Sequence, residues 1–151
     1  SDRPAFVEMM EHLDLAAPSH LTEALRVNMS GGKSVAQLLA EAAAKAPFMS
    51  MVELASRLGD NSRDLVVLDV RERDAFQGGH IPGAVHLPRG QLELRVNNEL
   101  PDPTTPILTY CEFGKISTLA AATLREMGFD RAVALDGGMK AWREAGLPVE
   151  D

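Results

Sequence analysis

The chain has 151 residues, 45% of them hydrophobic, with a formal charge of -7 and a single cysteine. That length suits one domain with an appendage, and the apolar share is enough for a core without staples. The acidic balance disfavours phosphate backbones, so no nucleic-acid binding is expected. No apolar run approaches the roughly 20 residues of a membrane span, and one cysteine excludes an internal disulfide and a multi-cysteine zinc site.

Taken in chain order, the first elements are helical. Phe6, Met9, Met10 and Leu13 share one helical face, and Leu21, Ala24, Leu25 and Met29 share another after the breaker Pro18. Gly31-Gly32 punctuates the chain. Ser34 to Gln37 reads as a capping box, opening a helix with Val35, Leu38, Leu39, Ala42 and Ala46 on one face and ending before Pro47. Residues 1–47 are thus expected to form a helical N-terminal extension, and residues 48–151 a separate domain.

The pattern then changes to alternating helix and strand. Ser50 to Glu53 is a second capping box, opening a helix that runs through Leu58 and stops at Gly59. Leu65–Leu68, Ala84–Leu87, Ile107–Tyr110 and Ala132–Leu135 are short apolar runs of the kind expected of strands covered on both faces. Helical stretches are expected near Asp74–Gln77, Gly90–Asn98, Ser117–Met127 and Gly138–Ala145. This alternation predicts an α/β fold, an open parallel sheet flanked by helices on both faces.

Chemistry concentrates in Tyr110-Cys111-Glu112-Phe113-Gly114-Lys115-Ile116-Ser117-Thr118, between a strand and a helix. Ligands of open α/β sheets bind at the carboxyl ends of strands, where Cys111 falls. The following helix points its unpaired amides and its dipole back at the loop, and both favour an anion such as a thiolate. Gly114 lets the loop turn tightly enough for amides to converge on the sulfur. A lone cysteine is otherwise most often inert core; the strand, cysteine, glycine loop and helix in succession point to a nucleophile instead.

At these residues the chain resembles the rhodanese-like domain family. The resemblance is carried by Leu68-Asp69-Val70-Arg71-Glu72, Gly79-His80-Ile81-Pro82-Gly83-Ala84, the Cys111 loop, and Leu135-Asp136-Gly137-Gly138 with Ala141-Trp142, in the family's order and spacing from about Phe48 to Val149. It implies a single-domain sulfurtransferase. Cys111 would take a sulfur atom from thiosulfate or a thiol persulfide, hold it as a persulfide, and pass it to a nucleophilic acceptor such as a thiol or cyanide. A protein persulfide is a further candidate partner.

The loop also departs from the family pattern. Ile116 stands where many active members carry arginine or another polar residue, Glu112 adds a negative charge beside the nucleophile, and Lys115 is the one basic residue. This weakens the case for a dianionic donor, and Phe113 suits an apolar mouth open to a larger substrate. Asp69 and Arg71 match the family's acidic–x–basic element, with loop bracing as the implied role and a surface pair as the alternative. Ser117 either offers its hydroxyl to the persulfide or caps its helix. The Gly79–Gly83 segment reads as architecture, Gly137-Gly138 as a tight turn into the last helix, and Trp142 as core. His80 and His86 lack an obvious third ligand, so no metal and no other cofactor is expected.

Two other functions compete. A catalytically weak or inactive module for protein interaction or regulation would keep the fold; the presence of Cys111 favours activity. A cysteine phosphatase or arsenate reductase needs an arginine at the end of the anion loop to grip three oxygens, and that position is Ser117. The lone cysteine fits a reducing compartment, so a cytoplasmic location is expected. The start at Ser1 suggests a processed or engineered terminus, with a removed signal peptide left open. The apolar faces of residues 1–47 need a partner surface, either the back of the same domain or a second copy of the chain, with a homodimer through these helices as the favoured arrangement of the two.

Overall fold

The computed structural model describes residues 32–60 and 64–151. The expected helices before Gly31, and with them most of the apolar faces expected to pair in a dimer, lie outside the described residues. Helix α1 (Val35–Lys45) begins where Ser34 Oγ accepts the Gln37 amide at 3.1 Å. Strand β1 (Phe48–Met49) follows, then α2 (Met51–Gly59), whose cap Ser50 Oγ accepts the Glu53 amide at 3.1 Å. The reciprocal half of the second box is not the arrangement found: the Glu53 carboxylate pairs with Arg57 one turn on.

The remaining elements are β2 (Val66–Asp69), α3 (Arg73–Gln77), β3 (Val85–His86), a 3-10 turn at Arg89–Gln91, α4 (Leu92–Glu99), β4 (Ile107–Tyr110), α5 (Lys115–Glu126), β5 (Ala132–Leu135) and α6 (Gly138–Glu144). The strands form one parallel sheet in the order β1-β5-β4-β2-β3. The expected open parallel sheet is therefore present, with β1 as an additional edge strand. Two residues are too few to leave an apolar run, so periodicity could not find it.

Successive side chains of a strand point to opposite faces, and the core divides accordingly. On one face Leu68, Ile107 and Ala132 pack with Leu92 and Val96 of α4 and with Ala120 and Leu124 of α5. On the other face Val67, Leu108, Tyr110 and Leu135 pack with Leu54 of α2 and with Met139 and Trp142 of α6. Trp142 is fully buried and donates its indole N–H to the Pro148 carbonyl at 2.7 Å. Among the described residues no helix is long and apolar enough to cross a membrane.

This layout positions the loop of interest. β4 is the middle strand, with β5 on one side and β2 on the other. Its carboxyl end delivers Cys111 between two flanking strands, and α5 and α6 both begin beside that end.

Candidate active site

Cys111 is the first residue beyond β4 and is 3% exposed. Its sulfur accepts the Gly114 amide at 3.1 Å and the Ser117 amide at 3.3 Å, and it lies 3.3 Å from the Ser117 hydroxyl. Converging N–H dipoles of this kind form a nest for an anion, and the first turn of α5 adds its dipole. The loop closes this tightly because Gly114 adopts φ +104°. A methyl there would meet nothing within 4 Å, so the backbone angle is the constraint, not space.

Amides turn inward because the outward carbonyls are held from behind. Met139 donates its amide to the Cys111 carbonyl at 2.8 Å, and Lys140 donates to the Glu112 carbonyl at 3.0 Å. These are free donors of the first turn of α6. The approach is so close that a Cβ on Gly138 would fall 2.6 Å from the Glu112 carbonyl oxygen and 2.8 Å from that of Cys111. The Gly137-Gly138 pair thus does more than turn the chain into its last helix. It lets that helix dock on the loop backbone.

Ser117 does not cap α5. The helix begins at Lys115, its cap residue is Gly114, and Ser117 lies inside the first turn. The Ser117 hydroxyl donates to the Gly114 carbonyl at 3.2 Å on one side and meets the sulfur on the other. It is completely buried. Thr118 also donates its hydroxyl to the Gly114 carbonyl, at 2.6 Å.

Asp69 and Arg71 are not a surface pair. Asp69 is fully buried and Arg71 is 7% exposed. The Arg71 guanidinium bonds both Asp69 carboxylate oxygens, donates to the Gly79 carbonyl at 2.8 Å, and reaches Glu112 Oε1 at 3.1 Å. It also lies over the Tyr110 ring, 5.6 Å from its centroid. Burial works against the Arg71 charge, yet the hydrogen bonds and charge of Asp69, with smaller help from Tyr110 and Glu112, hold the guanidinium above its ordinary value. Burial, and then the Asp69 carboxylate, push the Tyr110 phenol well above its usual range. Its protonated hydroxyl accepts the Ile81 amide at 3.1 Å, tying the Gly79–Gly83 segment to β4. The role of Tyr110 escaped sequence reasoning, because an aromatic at a strand end reads as core.

The other loop residues face outward. Phe113 is 67% exposed and Ile116 47% exposed, and Lys115 is exposed too. His80 and His86 stack on opposite sides of Phe76, at 3.9 and 4.7 Å between ring centroids, and each has a ring nitrogen on a backbone carbonyl. Among the described residues no group of three or more His, Cys, Asp or Glu side chains could hold a metal ion.

One loss tests the cradle. Ser117→Ala removes a hydrogen bond worth about 1 kcal/mol, so the sulfur loading that the sequence leads one to expect of Cys111 should slow about fivefold while both sulfur-facing amides stay in place. Loading at the wild-type rate would show that the hydroxyl serves only the Gly114 carbonyl.

Comparison with known proteins places the geometry in company. A family model described as the rhodanese-like domain matches residues 50–145. YrkF of Bacillus subtilis, a candidate sulfur carrier protein, is 39% identical over 83 residues; the match covers 55% of this chain and 44% of that protein, so the chain spans less than half of it. Thiosulfate sulfurtransferase GlpE of Coxiella burnetii is 37% identical over 89 residues, covering 59% of this chain and 80% of that protein. Among solved structures, a Rhodopseudomonas palustris protein of unknown function, described as a possible tyrosine phosphatase, superposes with a TM-score of 0.70 at 30% identity, covering 78% of this chain and 95% of that one.

Proposed function

This chain belongs to the rhodanese-like domain family, and from that membership we propose that it is a sulfurtransferase in which Cys111 carries sulfane sulfur as a persulfide. The observation that supports this best is the pair of amides, from Gly114 and Ser117, aimed at the Cys111 sulfur. A core cysteine needs no such donors. A thiolate and a persulfide both carry negative charge at the point where these dipoles converge.

The chemistry balances without a redox partner. The Cys111 thiolate attacks the outer sulfur of a donor R–S–SH. A new S–S bond forms at Cys111, the old one breaks, and R–S⁻ leaves with the electron pair. With thiosulfate the leaving group is sulfite. In the second half-reaction a thiolate or cyanide attacks the outer sulfur of the persulfide, and Cys111 departs as the thiolate. The Arg71–Asp69 pair and the α6 amides take no part in bond making; they fix the loop so that no reorganisation is required at the moment of transfer.

A phosphatase reading has a similar structure in its favour, but the loop Cys111–Ser117 contains no arginine to grip three phosphate oxygens. Arg71, the guanidinium that reaches the loop, is committed to two carboxylates and a carbonyl. Intact-mass analysis tests the proposal: incubation with thiosulfate or an alkyl persulfide should add the mass of one sulfur atom, and cyanide should remove it. No gain with any donor would reject the sulfurtransferase reading, and Cys111-dependent hydrolysis of an aryl phosphate would favour the phosphatase.

A further inference from the structure

Charge and polarity around the sulfur select among donors. The Arg71 guanidinium reaches the loop, and its single positive charge is shared between Asp69 and Glu112, at 2.7 and 3.1 Å. Arg143 donates to the same Gly79 carbonyl as Arg71, and Lys140, paired with Glu144, also feels the Glu112 charge, so Glu112 is the anion of this cluster that belongs to the loop itself. Asp69 is fully buried, whereas the Glu112 side chain is 41% exposed and belongs to the residue next to Cys111. Within the loop only Lys115 opposes it, from an exposed position. Neighbouring charges of this kind lie inside the Debye length of about 8–10 Å at moderate salt, so an incoming ion feels them. The rest of the exposed loop is the apolar pair Phe113 and Ile116.

Resting on the sulfurtransferase reading, we infer that Glu112 is a specificity-determining residue that turns the site away from the thiosulfate dianion and toward hydropersulfides of low charge with an apolar organic group. Such a donor, R–S–SH, presents a neutral or singly charged sulfur to the amide cradle and an apolar group to Phe113 and Ile116. Transfer forms the Cys111–sulfur bond, breaks the donor S–S bond and releases R–S⁻. Thiosulfate must bring two negative charges past the Glu112 carboxylate, and the Arg71 guanidinium is already held by Asp69, Glu112 and the Gly79 carbonyl.

The experiment follows loading of the full chain by intact mass, with benzyl hydropersulfide and with thiosulfate as probes, in wild type, Glu112→Gln and Glu112→Asp. The two donors differ in intrinsic reactivity, so the wild-type ratio alone decides nothing. The decisive quantity is how the ratio changes with charge. Glu112→Gln should shift it about tenfold toward thiosulfate, which corresponds to about 1.4 kcal/mol. Glu112→Asp keeps the charge and should stay near the wild-type ratio, and so should Glu99→Gln, a control outside the loop at the end of α4, where it pairs with Arg95. Raising salt should speed thiosulfate loading of wild type by screening the repulsion. Phe113→Ala with Ile116→Ala should slow benzyl hydropersulfide more than thiosulfate. An unchanged ratio in Glu112→Gln, or thiosulfate loading that slows as salt rises, overturns the inference while leaving the sulfurtransferase intact. Failure of both donors to load wild type overturns both.

Discussion

Cys111→Ser should abolish sulfur uptake from every donor, a loss of at least about 10⁴-fold in the loading rate. A serine hydroxyl at neutral pH is neutral and a poor nucleophile toward sulfur. The cradle around it would remain, because the Gly114 and Ser117 amides are set by the backbone and by the α6 contacts rather than by the sulfur. The variant should therefore fold with little change in thermal midpoint, which separates loss of chemistry from loss of structure. Intact mass after donor treatment is the measurement. A sulfur adduct on the serine variant would move the nucleophile elsewhere, and since the chain has one cysteine, it would end the persulfide mechanism altogether.

Gly138→Ala should have the next largest effect, at a residue that never touches the sulfur. The added methyl would fall 2.6 Å from the Glu112 carbonyl oxygen and 2.8 Å from the Cys111 carbonyl oxygen, both of them backbone atoms. One side must yield. Helix α6 is anchored by Met139 and Trp142, both fully buried, so the loop is the side that shifts. Displacing the loop breaks two amide–carbonyl bonds and re-aims the inward amides. Overpacking of this kind costs about 1–3 kcal/mol in stability, the φ of +66° at Gly138 adds about 1–2 kcal/mol as it does at Gly114, and misplacing a reacting atom by about 1 Å costs about 100-fold in rate. Gly114→Ala is the informative contrast. There the methyl meets open space, and only the positive φ resists it, at about 1–2 kcal/mol. Parallel thermal melts and loading rates should show Gly138→Ala losing much more rate per unit of stability than Gly114→Ala. Equal losses in both would mean that the α6 contact serves stability alone.

Much of this arrangement was legible in the chain because local signals carried it. The Leu65–Leu68, Ile107–Tyr110 and Ala132–Leu135 runs are apolar on both faces, and the strands appear within about a residue of them. The cysteine and glycine of the loop declared a turn before a helix. The start of that helix was less legible: its cap is Gly114, which supplies no side-chain hydrogen bond, so Ser117 drew the attention that belongs to Lys115. Contacts across long sequence separations were out of reach. Glu112 looked like a charge beside a nucleophile, and its partner Arg71 lies 41 residues away in sequence. Gly138 looked like a turn residue because nothing in its neighbours announces the carbonyl it approaches.

The burial of the Cys111 sulfur bears on regiochemistry. A persulfide offers two sulfurs to an attacking thiolate. Attack on the outer one hands it over, whereas attack on the inner one leaves a mixed disulfide and expels hydrosulfide. A mixed disulfide needs the two β-carbons about 3.8 Å apart, which places the attacker's side chain where the loop now stands, over a cysteine only 3% exposed. The outer sulfur stands about 2 Å farther along the bond. Under the sulfurtransferase reading, sterics at the inner atom would direct acceptors to the productive sulfur, and Cys111 would return as a free thiol, ready for another load, without a reductase to rescue it.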